Sequence, residues 1–109
     1  MTVEQLIKAA NLCAISLPSP DREVHGAYIG DLLSWVMGRA REDNAWITIM
    51  SNSNVVAVAT LADVSCVILA EGVTPDVGVA ETALAKGVNL LSSSESAYEI
   101  AKKLSLLEL

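Results

Sequence analysis

The sequence predicts a single α/β domain over residues 1–109, with three layers (α/β/α) and a mainly parallel sheet of about four to five short strands. Three observations carry this. Short apolar runs recur at residues 12–17, 45–50, 65–70 and 88–91, and the later ones are separated by segments with helix caps and helical spacing. The second and third runs lie about fifteen residues apart, the room a parallel crossover helix needs. Hydrophobic residues make up 52% of the 109 with no Phe, so the core is built from Val, Leu, Ile and Ala. Those residues suit a sheet closely covered by helices.

Taken in order, Thr2-x-x-Gln5 reads as a capping box opening a helix through about Ala10, ended by Asn11. Leu12 to Leu17 reads as a buried strand, stopped by Pro18-Ser19-Pro20-Asp21. Glu23 to Ile29 holds a short extended piece punctuated by Gly26 and Gly30. Asp31 reads as the N-cap of a helix carrying Leu32, Trp35 and Val36 on one face. A charged loop over 38–44 precedes the strand Ala45 to Met50. Val55 to Ala59 favours a strand by β-branched propensity, but the crossover spacing assigns Asn54 to Ala62 to a helix. Ser65 to Ala70 is the next strand. Thr74-Pro75 reads as a helix start, with the helix reaching about Lys86 and closed by Gly87. Val88 to Leu91 is the last strand. Several serines then offer caps for a helix whose Ala97, Ile100, Ala101, Leu104 and Leu107 share one face.

Several function classes are excluded. The net charge is −6 with no basic run, so the clustered cations of a nucleic-acid groove are missing. No apolar stretch reaches bilayer length, and the start lacks the basic flank of a secretory signal, so a cytoplasmic location is expected. Cys13, Cys66 and the single His25 cannot assemble a four-ligand metal or cluster site, and no metal or other cofactor is expected. Both cysteines read as buried, reduced core thiols, and His25 as a loop residue. There is no phosphate-binding Gly-x-x-x-x-Gly-Lys-Ser/Thr run, no Gly-x-Gly-x-x-Gly and no Gly-x-Ser-x-Gly turn. No catalytic residues are assigned.

The polar tetrad Ser51-Asn52-Ser53-Asn54 lies between a strand and a helix start, where open α/β sheets gather ligands and where every such fold also needs caps. Asp31, Gly26 and Gly30 carry the same two readings, cap or turn against ligand contact. If a site exists, it is expected to be concave and lined by Tyr28, Asp31, Ser51, Asn52, Asn54 and Ser92. Trp35 and Trp46 read as core. Leftover apolar surface on so small a domain predicts a homodimer.

Three segments resemble a stand-alone DRTGG domain: Gly26-x-Tyr28-x-Gly30-Asp31-Leu32-Leu33-Ser34-x-Val36-Met37, Trp46-Ile47-Thr48 and Asn54-Val55-Val56-Ala57-Val58-Ala59. The tail Lys86-Gly87-Val88-Asn89-Leu90-Leu91 with Ser94-x-Ser96-Ala97-Tyr98-Glu99 fits as well. The Asp-Arg-Thr-Gly-Gly signature itself is absent, and Ser51-Asn52-Ser53 stands where relatives often place a His. The resemblance implies a fold similar to the amino-terminal domain of HPr kinase/phosphorylase, without its kinase part. Related domains accompany CBS domains in regulated pyrophosphatases and phosphate acetyltransferase domains. Single-domain members occur in anaerobic bacteria, some near hydrogenase genes. The expectation is therefore a non-catalytic regulatory or interaction module with a protein partner. The alternative is a sensor that binds a nucleotide or small anionic metabolite at the strand-to-helix loops. A hydrolase or transferase using those loops would need a base that the sequence does not supply.

Overall fold

The computed structural model describes all 109 residues. In chain order the elements are α1 (Val3–Ala9), β1 (Cys13–Ser16), β2 (Ala27–Ile29), α2 (Leu33–Arg39), β3 (Ala45–Thr48), α3 (Asn54–Ala62), β4 (Cys66–Leu69), α4 (Val79–Ala85), β5 (Leu90–Ser92) and α5 (Ala97–Ser105). They build one five-stranded sheet in the order β1-β5-β4-β3-β2. Strands β2 to β5 run parallel, and β1 joins β5 antiparallel, with Cys13 opposite Ser92.

The predicted three layers are present. All four residues of β3 and all four of β4 are buried, as befits central strands covered on both faces. On one face, Val3 and Leu6 of α1 and Ile100 and Leu104 of α5 pack with Ala45, Ile47, Cys66, Ile68 and Leu91. The other face carries α2, α3 and α4, with Val36, Val55, Val56, Val79 and Ala83 packed on Trp46, Val67, Leu69 and Leu90. Thr2 and Gln5 form the predicted capping box: Gln5 N donates to Thr2 Oγ1, and Thr2 N donates to Gln5 Oε1. Ser96 accepts from Glu99 N at the start of α5.

Four local expectations are corrected. Leu12 to Leu17 yields an edge strand rather than a buried one, because β1 has only β5 beside it, and Cys13 is therefore exposed. Asp31 does not cap α2. Leu32 holds the cap position, and the Asp31 carboxylate accepts instead from Thr48 Oγ1 at 2.8 Å and Ile49 N at 3.0 Å. Thr74-Pro75 does not start α4, which begins after Gly78 at φ 88°. The preceding backbone is bound elsewhere: Glu71 N donates to Glu95 O, Gly72 N to Ser93 O and Asp76 N to Ser51 O. Trp46 is buried with its Nε1 donating to Gly30 O, but Trp35 is 53% exposed. The core is reached by its neighbour Val36, so Trp35 points away, with the Arg39 guanidinium 3.8 Å from its ring centre.

The amino ends of the parallel strands are stitched together. Arg22 Nη2 pairs with Asp43 at 3.0 Å and Asp63 at 2.9 Å, joining the segments before β2, β3 and β4. Burial alone would lower the Arg22 pKa, but hydrogen bonds to Asp43 and Asp63 and their charges hold it above its ordinary value. Asn89, 1% exposed, accepts from Ser19 N and donates to Ser19 O and Ser65 O. Asn44 Nδ2 donates to His25 O, while its Oδ1 accepts from Arg41 N. Cys66, in the first position of β4, has its thiol pushed up to about 12 by burial, with the Arg22 charge opposing.

Asn89→Leu leaves three backbone groups without their partner, so it should lower stability by about 1–3 kcal/mol. Urea unfolding should show the loss as an earlier midpoint at unchanged slope. Cys66 makes stability pH-dependent. Below its ordinary value of 9.0 both states hold the proton and the contribution is complete; from there to about 12 the unfolded chain loses the proton first, and stability falls. Wild type should lose up to about 1.4 kcal/mol per pH unit more than Cys66→Ala across that window. Parallel slopes for the two proteins would contradict this account.

Candidate functional site

Because β2 to β5 are parallel, their carboxyl ends meet at one end of the sheet, and the antiparallel β1 contributes its amino end there. The loops at this end carry the polar residues singled out from the sequence. Their placement is uneven. Ser51 Oγ donates to Asp76 Oδ1 at 2.9 Å, which ties the β3–α3 loop to the β4–α4 loop. Asn52 Oδ1 accepts from Asn54 N at 2.9 Å. Asn54 is thus the first helical residue, exposed, and not the cap; the cap bond comes from the side chain two residues earlier. Backbone carbonyls of Asn52 and Ser53 accept from Val55 and Val56, and so satisfy the helix start further.

Tyr28 is half-buried against the core beneath α2, α3 and α4. Gly30 makes room for it, since a Cβ there would lie 2.9 Å from Tyr28 Cε2. Trp46 and Asp31 hold the same turn from either side, Trp46 through Gly30 O and Asp31 through the end of β3. Tyr28, Asp31, Ser51, Asn52 and Asn54 therefore do not line one common cavity with Ser92.

Ser92 does line a cavity. A space of about 620 Å³ opens where β5, β1 and the β4–α4 loop converge, lined by Asn11, Cys13, Ile15, residues 72–75 and residues 92–95. Its size falls within the range of small-molecule pockets. The Ser92-Ser93-Ser94 run was visible in the sequence as a set of helix caps. That Cys13 and Asn11 would face it depended on the antiparallel direction of β1, which no residue pattern specifies. Glu95 forms an ion pair with Lys103, whose Nζ also reaches Ala10 O. Ser93 Oγ is engaged by Glu95 N. No group of three or more His, Cys, Asp or Glu side chains converges anywhere in the fold, and His25 lies at the opposite end, ahead of β2.

A profile of the DRTGG domain matches residues 18–107. The chain belongs to the DRTGG domain family. Its fold is also similar to a solved structure of the CBS and DRTGG domains of the regulatory region of Clostridium perfringens pyrophosphatase, complexed with the activator diadenosine tetraphosphate. The TM-score is 0.70 at 14% identity, over 94% of this chain. The chain spans about half (45%) of that regulatory region. At such identity the likeness establishes the fold. No curated protein matches the chain. No helix is long and apolar enough to cross a membrane.

The geometry of the β3–α3 loop separates two neighbouring amides. Asn52→Ala should cost about 0.5–2 kcal/mol by removing the acceptor of the Asn54 N–H, whereas Asn54→Ala should be close to neutral. Thermal melts of the two variants check the ordering, and equal losses would overturn it.

Proposed function

We propose that this DRTGG domain is a non-catalytic regulatory and interaction module that works as a homodimer, docking through the sheet edge formed by β2 and α2. The observation that carries this is the exposed apolar set at that edge. Ile29 on the outermost strand, Leu32, Trp35 and Met37 around the adjoining helix, and Ile49 at the end of β3 are each about half exposed or more. Edge strands present unpaired backbone groups, and natural folds blunt or cover them. Here β2 is short and apolar, and it pairs only with β3. A second copy across a two-fold axis covers the same patch on both chains and leaves no open end for further growth. Membership of a family found in a regulatory region supports the regulatory role.

The domain we infer is the whole chain, 1–109. Residues 1–17 fall outside the family match, yet α1 fills the core and β1 completes the sheet. Two free thiols suit the reducing cytoplasm. The resemblance drawn from the sequence supports a bacterial metabolic system of the anaerobic type as its setting.

A second reading has its own observation. The cavity beside Ser92 supports a sensor that takes a small ligand at the strand-end loops. The remaining loop residues, Tyr28, Asp31, Ser51, Asn52 and Asn54, then act by holding those loops in register.

Light scattering over a wide concentration range should give twice the chain mass. The double variant Leu32→Asp, Trp35→Glu, altered only at exposed positions, should keep its far-UV spectrum and give the monomer mass. A wild-type monomer at every concentration, or a variant that remains dimeric, would refute the proposed edge.

A further inference from the structure

We propose that the cavity between β1, β5 and the β4–α4 loop binds an uncharged, polyhydroxylated molecule of nucleoside or glycoside size, rather than an anion. This deepens the sensor reading and rests on it. The lining supplies hydrogen-bonding residues without charge: Asn11, Thr74, Ser92 and Ser94, with the Ser93 hydroxyl already accepting from Glu95 N. Ile15, Val73 and Pro75 add apolar surface on which a ring can rest. No Lys, Arg or His lines the space. The one carboxylate among the lining residues, Glu95, is already neutralised by Lys103.

An anion entering here meets no cation to replace its hydration, and desolvating a charge without a partner is costly. Nearby carboxylates add to the penalty. Glu71 flanks the lining at Gly72, and Asp76 follows it at Pro75. The chain as a whole carries −6. A diol exchanges water for hydroxyl and amide partners at little electrostatic cost, and such a site selects by hydrogen bonding. Nucleosides and glycosides share this chemistry.

The molecule contains its own reporter. Cys13 lines the cavity and is exposed, while Cys66 is fully buried in the core under α1 and α5. Alkylation of the native chain by iodoacetamide, read by mass spectrometry, therefore follows Cys13. Adenosine and methyl glucoside are tested as neutral probes, with AMP and glucose 6-phosphate as their charged counterparts, all at millimolar concentration. The expected result is that at least one neutral probe slows Cys13 alkylation tenfold or more and that its phosphorylated counterpart protects at least tenfold less well. Which neutral probe protects separates the nucleoside from the glycoside source. The protection should not change with added salt, since no ion pair forms. It should vanish in Ser94→Leu, altered at an exposed lining position, and persist in Asn54→Ala. Equal or better protection by a phosphorylated probe would overturn the uncharged class while keeping the sensor reading. No protection by any of the four would overturn both.

Discussion

Asn89 is the residue on which the arrangement of this sheet most depends. Its amide sits at the amino end of β5, where one side chain satisfies Ser19 N, Ser19 O and Ser65 O. It thereby anchors the Pro-flanked loop after β1 to the starts of two neighbouring parallel strands. The Arg22 ion pairs with Asp43 and Asp63 extend the same stitching to the starts of β3 and β4. Ser65 Oγ lies within bonding reach of Glu23 O and Asp43 O and closes the set. These segments are loops whose backbone groups would otherwise be lost to water, and side-chain amides and a guanidinium take the place of solvent. With one end of the sheet fixed this way, the two helical layers can differ: α1 and α5 on one face, three crossover helices on the other.

The opposite end is built differently. Side chains link Asp31 to the end of β3, Ser51 to Asp76 and Glu95 to Lys103, and backbone bonds run from Glu71 to Glu95, Gly72 to Ser93 and Asp76 to Ser51. Through these bonds the β4–α4 loop is held to both of its neighbours, and the cavity lies where it meets β5 and β1. Open parallel sheets gather ligands outside the carboxyl ends of their strands, and the cavity of this sheet lies at that end. Here the open end is poor in cations, and that decides which ligands it suits more firmly than the position alone does.

Strong local signals made most of the fold legible in the sequence. The Thr2 and Gln5 capping box, the four-residue buried runs of β3 and β4, and the fifteen-residue spacing that made Asn54–Ala62 a helix against its propensity all appear as expected. Two of the misses share a physical source, which is that long-range partners override local preference. Thr74-Pro75 has the chemistry of a helix start, yet Asp76 N is bound to Ser51 O and the backbone before it to the β5–α5 loop. Asp31 has the chemistry of a cap, yet Thr48 and Ile49 offer it two donors across the sheet. For the site, the serine run was visible, but the strand that faces it was not. An antiparallel β1 reverses which end of Leu12–Leu17 meets Ser92, and a short, mostly apolar run reads the same in either direction.

That reversal also makes the two edges of the sheet unlike each other. A sheet of sequentially added parallel strands has two open edges, and this one treats them differently. At one edge β1 runs antiparallel, with its flank tied to α4 by the Ser16 hydroxyl donating to Ala80 O at 2.7 Å. At the other, β2 is three residues long and apolar, beside a helix whose Trp35 and Leu32 face outward. The first edge turns a strand end toward the serine loop and so makes a concavity. The second keeps a flat apolar rim. A cavity holds a small molecule, whereas a rim of half-exposed side chains is covered only by another protein surface. The two stand at opposite edges of one sheet, with β5, β4 and β3 between them. Those intervening strands are buried among the two helical layers and stitched at their amino ends. Between the two edges, the β3–α3 and β4–α4 loops are joined by the Ser51 hydroxyl donating to Asp76 Oδ1 and by Asp76 N donating to Ser51 O.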